Sequence, residues 1–80
     1  QLLCDTSMTG VIIDRFGASV AMRPYDETHI LARAQVAVSP QFFGWLAGLS
    51  THIRVISPDS VVNEYQIFLQ EILRSYTDMQ

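Results

Sequence analysis

Apolar and polar positions recur along this chain with two different periods, and each change of period marks the start of a new element. Leu2, Leu3 and Cys4 follow Gln1 as a short apolar run, which reads as a buried strand over residues 1–4. Asp5, Thr6 and Ser7 come next as N-cap candidates, since a short side-chain oxygen accepts from the unpaired amides of a first helical turn. Met8, Val11, Ile12 and Phe16 then recur at helical spacing, and Gly17 stands where a left-handed residue closes a helix without a Cβ clash. The spacing predicts an amphipathic helix of about three turns.

From Val20 the period falls to two. Val20 to Tyr25 and His29 to Val38 read as strands joined by the polar turn Asp26-Glu27-Thr28. In the second, Ile30, Ala32, Ala34, Val36 and Val38 share one face, while Leu31, Arg33, Gln35 and Ala37 share the other. Pro24 has no N–H to give a ladder, which puts the first of these strands at a sheet edge. Ser39-Pro40 opens a helix carrying Phe42, Phe43, Trp45, Leu46 and Leu49. His52 to Ile56 reads as a strand, and Ser57-Pro58-Asp59 repeats the cap-and-proline start. In the last helix Val61, Tyr65, Phe68, Leu69, Ile72, Leu73 and Tyr76 form an apolar stripe opposite Asn63, Glu64, Gln70, Glu71 and Arg74; Ile67 falls among the polar positions.

The order strand, helix, strand, strand, helix, strand, helix predicts one α+β domain over residues 1–80. A split βαβ unit repeated once gives a ferredoxin-like βαββαβ sandwich: a four-stranded antiparallel sheet with right-handed crossovers placing both internal helices on one face. Its strand order sets the second strand at an edge, where Pro24 also places it. The final amphipathic helix is additional, and either caps the open sheet face or packs on a neighbour.

Composition narrows the function. Eighty residues leave no room for two cores. The chain is 49% apolar and only 16% charged, against about 25% charged in an average soluble domain, so some apolar surface is expected to meet another domain or subunit. The net charge is −3 and every cation is an arginine: Arg15, Arg23, Arg33, Arg54 and Arg74. Broad attraction to duplex DNA is thereby disfavoured, while a few bidentate contacts to carboxylate or phosphate stay open, beside ordinary surface ion pairing. Cys4 is alone, so it forms no internal disulfide and reads as a buried packing residue of a reducing compartment. No stretch approaches the ~18 apolar residues of a membrane span, and no secretory leader is visible. The start at Gln1 rather than Met reads as a fragment of something longer.

Catalytic sets are missing from the pattern. His29 and His52 lie far apart, without Cys-x-x-Cys, His-Glu-x-x-His or calcium-loop spacing, and no glycine belongs to a phosphate-cradling motif. The chain is therefore expected to be no enzyme, with no catalytic residue, metal ligand or cofactor. Two groups remain as binding candidates. Phe42, Phe43 and Trp45 occupy three of four helical positions and cannot all point inward, so at least one is exposed or meets a partner; with Tyr65 and Phe68 they form the candidate interface. If Val20, Met22, Ile30, Ala32, Ala34, Ile53 and Val55 face the helices, then Arg23, Tyr25, Arg33, Gln35 and Arg54 emerge together on the reverse of the sheet. Such a surface either binds single-stranded nucleic acid or pairs its arginines with Glu64 and Glu71 of a covering final helix.

Over Val11-Ile12-Ile13-Asp14-Arg15-Phe16-Gly17 and Val36-Ala37-Val38-Ser39-Pro40-Gln41-Phe42-Phe43-Gly44-Trp45-Leu46 the chain resembles the C-terminal extension, or WCX domain, of WYL-domain transcription regulators. The likeness continues through Arg54-Val55-Ile56-Ser57-Pro58 to Glu64-Tyr65 and the last helix, nearly the whole chain. The resemblance implies a cytoplasmic bacterial regulator of three parts: a winged helix-turn-helix, a β-barrel WYL domain, and this ferredoxin-like extension. It further implies that the two C-terminal parts sense an effector and support homodimerisation, the effector in some relatives being single-stranded nucleic acid. On that reading Arg23, Tyr25, Arg33 and Arg54 contribute to an anionic effector site completed by the WYL barrel, and the 80 residues alone bind no operator DNA. A small-molecule-sensing ferredoxin-like domain and a purely structural interaction domain are the alternatives. One position departs from the family pattern: Gly48-Leu49-Ser50 stands where Gly-Leu-Gly is expected, and a left-handed helix end is less favourable at serine than at glycine.

Overall fold

The computed structural model describes residues 1–78 and places the first apolar run of the chain in the interior of a sheet. Strand β1 (Leu2–Asp5) pairs antiparallel with β3 (His29–Arg33) on one side and β4 (Ile53–Val55) on the other, and β2 (Ala21–Pro24) pairs antiparallel with β3. The order across the sheet is β2-β3-β1-β4, so β2 is an edge strand, where Pro24 costs no ladder hydrogen bond. Three helices complete an α+β fold: α1 (Thr9–Phe16), α2 (Pro40–Gly48) and α3 (Asp59–Thr77).

Strand alternation builds the core. Leu2, Cys4, Ala32 and Ile53 are buried on one face of the sheet, where Ile12 of α1 and Phe42, Phe43 and Leu46 of α2 join them. Full burial of a side chain such as Ile12 or Leu46 stabilises the fold by about 1.5–3 kcal/mol. Gly17 ends α1 with φ +93°, its amide donating to Ile13 O at 2.8 Å. Ser39 caps α2 as its sequence predicts: the hydroxyl accepts from the Phe42 amide at 3.2 Å, and Pro40 follows in the first turn.

Most strand boundaries differ from the periodicity by a residue, β1 running over Leu2–Asp5 rather than 1–4 and β2 over Ala21–Pro24 rather than Val20 to Tyr25, and three other differences have a visible cause. The strand expected to run from His29 to Val38 ends at Arg33, because Leu2 and Ala21, facing Ala32 and Arg33, are the last partners that β1 and β2 offer it. The strand expected from His52 begins at Ile53, after a 3-10 turn over Ser50–His52. Ser57 does not cap α3; its hydroxyl and carbonyl both accept from the amino group of Gln1, at 3.2 and 2.9 Å.

Helix α3 docks on α2 rather than on the open sheet face. Phe43 packs its ring against Tyr65 and Phe68, with centroids 5.3 and 5.4 Å apart, and Val61 also touches the core. The later turns leave this support: Leu69, Ile72, Leu73 and Tyr76 are 40, 44, 65 and 70% exposed. The molecule is correspondingly elongated, 44 × 24 × 22 Å.

Candidate functional site

The register of the sheet decides which side chains share its uncovered face. Arg23 stands opposite Leu31, Leu31 opposite Leu3, and Leu3 opposite Arg54, one row spanning all four strands. Arg33 opposes Ala21 and is therefore a diagonal neighbour of Arg23, about 7–8 Å away between Cα atoms. Each of these arginines alternates with a buried or half-buried neighbour on the helix side, and all three are exposed. Arg23, Arg33, Leu31 and Gln1 line a shallow hollow of about 310 Å³.

Among the described residues these arginines have no carboxylate partner: the ion pairs found join His29 to Asp5 and Asp26, and His52 to Asp5. Glu64 and Glu71 do not cover the arginines, because α3 carries them beside Phe43, Ser39 and Val38 on the opposite layer. Tyr25 follows β2 and is 59% exposed; Gln35, past the end of β3, is exposed as well.

The next row holds a cluster that sequence spacing does not reveal. Asp5, read from sequence as a cap candidate, makes no side-chain capping bond. Its carboxylate meets His52 Nδ1 at 2.7 Å and His29 Nε2 at 3.4 Å, because β1 brings Asp5 opposite His29 and the turn before β4 brings His52 alongside. His29 Nδ1 lies 2.9 Å from Asp26 Oδ1, and the Thr28 amide donates to the same oxygen at 2.8 Å. That amide bond first, and then the bond to His29, hold the Asp26 carboxyl below its usual range. The pairing of the strands unites Asp5 with His29 and His52, whereas Asp26 and Thr28 reach His29 within their own turn.

The aromatic residues expected at an interface divide by depth. Phe42 and Phe43 are buried at 3 and 6% exposure and contribute to the core. Trp45 is the one of the three that α2 leaves half exposed: Phe16 meets it edge-on at 5.5 Å, and the Arg15 guanidinium lies 5.2 Å above its ring. Tyr65 and Phe68 are half-buried against Phe43. The larger apolar exposure lies further along α3, at Leu73 and Tyr76.

Cys4 is fully buried, and burial pushes its thiol up to about 11, with the Asp5 charge adding to the effect, so it is no nucleophile at neutral pH. Among the described residues no group of three or more His, Cys, Asp or Glu is placed to hold a metal ion, and no helix is long and apolar enough to cross a membrane. No curated protein and no solved structure gives a significant match. The WCX domain model matches residues 2–73, from the first residue of β1 into the last turns of α3. With sheet, helices and open face all inside that match, the chain belongs to the WCX domain family.

Proposed function

We propose that this domain is the effector-sensing and dimerisation part of a cytoplasmic bacterial WYL-type transcription regulator, and that its open sheet face receives an anionic effector. The observation that carries the reading is the exposure of Arg23, Arg33 and Arg54 on one sheet face without carboxylate partners among the described residues. A guanidinium fork left free of acids is matched to phosphate oxygens, and Tyr25 beside the row offers a ring on which a base can stack. Single-stranded nucleic acid is the anion that uses both features. The net charge of −3 makes this a local arrangement rather than a general attraction to polyanions.

The strand order β2-β3-β1-β4, with α1 and α2 on one face, supports a ferredoxin-like reading of the fold, α3 being the addition. In the regulator, the WYL barrel of the same chain completes the effector site and the helix-turn-helix reads the operator, which the 80 residues alone do not. The exposed turns of α3, with Leu69, Leu73 and Tyr76, supply apolar surface for a homodimer.

Fluorescence anisotropy with short single-stranded oligonucleotides tests the effector claim. Binding that weakens with salt and is abolished by Arg33→Glu supports it. Equal affinity for Arg33→Glu and the parent chain rejects it. Light scattering over a concentration series tests association, and a strict monomer in the full-length regulator rejects the homodimer.

A further inference from the structure

A hollow of about 500 Å³ lies at the head of β1. Ala34, Gln35, Val36 and Val38 line it together with Phe42, Ser57 and Val61. Gln1 closes its near end, so the groove lies in line with β1.

The hydrogen-bond parity of the sheet fixes what this groove can hold. Gln1 directs both main-chain groups at the β4 side: its nitrogen donates to Ser57 O at 2.9 Å, and its carbonyl accepts from the Ile56 amide at 3.0 Å. Successive strand residues alternate, so even-numbered residues of β1 turn to β3, and just past the strand the Thr6 amide keeps this parity in donating to Thr28 O at 2.9 Å. Leu2 opposes Ala32; a residue joined ahead of Gln1 and still extended therefore falls opposite Ala34, and the third such residue opposite Val36. The main chain of residues 34–38 makes no hydrogen bond to another main-chain group among the described residues. The same alternation puts the first and third side chains on the face of Leu2, inside the groove above Phe42 and Val61.

We propose that this groove seats the stretch of the regulator's own chain that leads into β1: an extended, uncharged segment that lengthens β1, runs antiparallel to residues 34–38, and places apolar side chains in the groove at its first and third positions before Gln1. The proposal rests on the reading above that this domain is part of a longer regulator. A segment joined to Gln1 passes straight along the groove, whereas a strand from a second copy would abut the Gln1 nitrogen. The groove's lining holds no charged side chain, which suits an uncharged strand.

Amide hydrogen exchange, compared between the 80-residue chain at low concentration and the full-length regulator, tests this. The amides of Ala34 and Val36 are expected to slow by at least ~10-fold in the longer chain, while Gln35 and Ala37, pointing the other way, stay fast. Unchanged rates at Ala34 and Val36, or slowing without the alternation, overturn the proposal. Slowing in the 80-residue chain that grows with its own concentration assigns the groove to a second copy and also overturns it. If the upstream part is not a WYL domain, the functional reading fails, and the same two amides still decide the groove.

Discussion

Ser50 offers the sharpest test of the backbone argument, because it takes a conformation its side chain resists. Its φ of 57° lies in the left-handed region, directly after Leu49 at the end of α2. A residue with a Cβ is disfavoured there by about 1–2 kcal/mol, through the clash with the following carbonyl. Glycine escapes that clash but loses more chain entropy on folding, about 0.4–1 kcal/mol. Ser50 is exposed, and among the described residues its hydroxyl makes no hydrogen bond, so the substitution forfeits no contact. The two effects combine to a net gain of about 0.5–1 kcal/mol for Ser50→Gly. In a domain of this size that corresponds to a Tm higher by about 2–8 °C. Urea and thermal unfolding followed by circular dichroism measure the change, with Ser50→Val as a companion expected to lose stability, since a β-branched residue fits the left-handed region worst. A neutral or destabilised Ser50→Gly protein that keeps the α2 end unchanged would refute the reasoning.

Phe43→Ala removes the ring against which Tyr65 and Phe68 pack and is expected to cost about 3–5 kcal/mol, with α3 detaching first in residue-resolved exchange. Cys4 should react with a thiol reagent at pH 8 only as fast as the domain opens, so a labelling rate equal to that of a free thiol would contradict its burial. The depressed pKa of Asp26 contributes stability that is present above the ordinary carboxylate range and is lost as pH falls through the lowered folded value. Asp26→Asn should therefore flatten the acid limb of the stability curve; an unchanged limb means that the turn does not discriminate the charged form. Leu73→Ser should leave the stability of the monomer within about 0.5 kcal/mol, because Leu73 is 65% exposed, and weaken association of the full regulator, as sedimentation would show.

Local chemistry settled the identity and order of the elements. The periods of two and 3.6, the proline that keeps β2 at an edge, the Ser39-Pro40 start of α2 and the glycine closing α1 are each one residue's or one face's preference, legible without a neighbour. The arginine row was legible for the same reason, since alternation alone puts Arg23, Arg33 and Arg54 opposite the apolar positions of their own strands. What the sequence left open depends on residues distant along the chain. The end of β3 depends on how far β1 and β2 extend beside it, and Asp5 turns from a cap into the link between His29 and His52 only once β1 lies between β3 and β4. The stripe on α3 reads as one continuous surface, yet docking on Phe43 buries part of its first half and leaves Leu73 and Tyr76 in solvent. A side chain's own preference is written at its position; its partner is set by register and packing, which only the assembled sheet and helices supply.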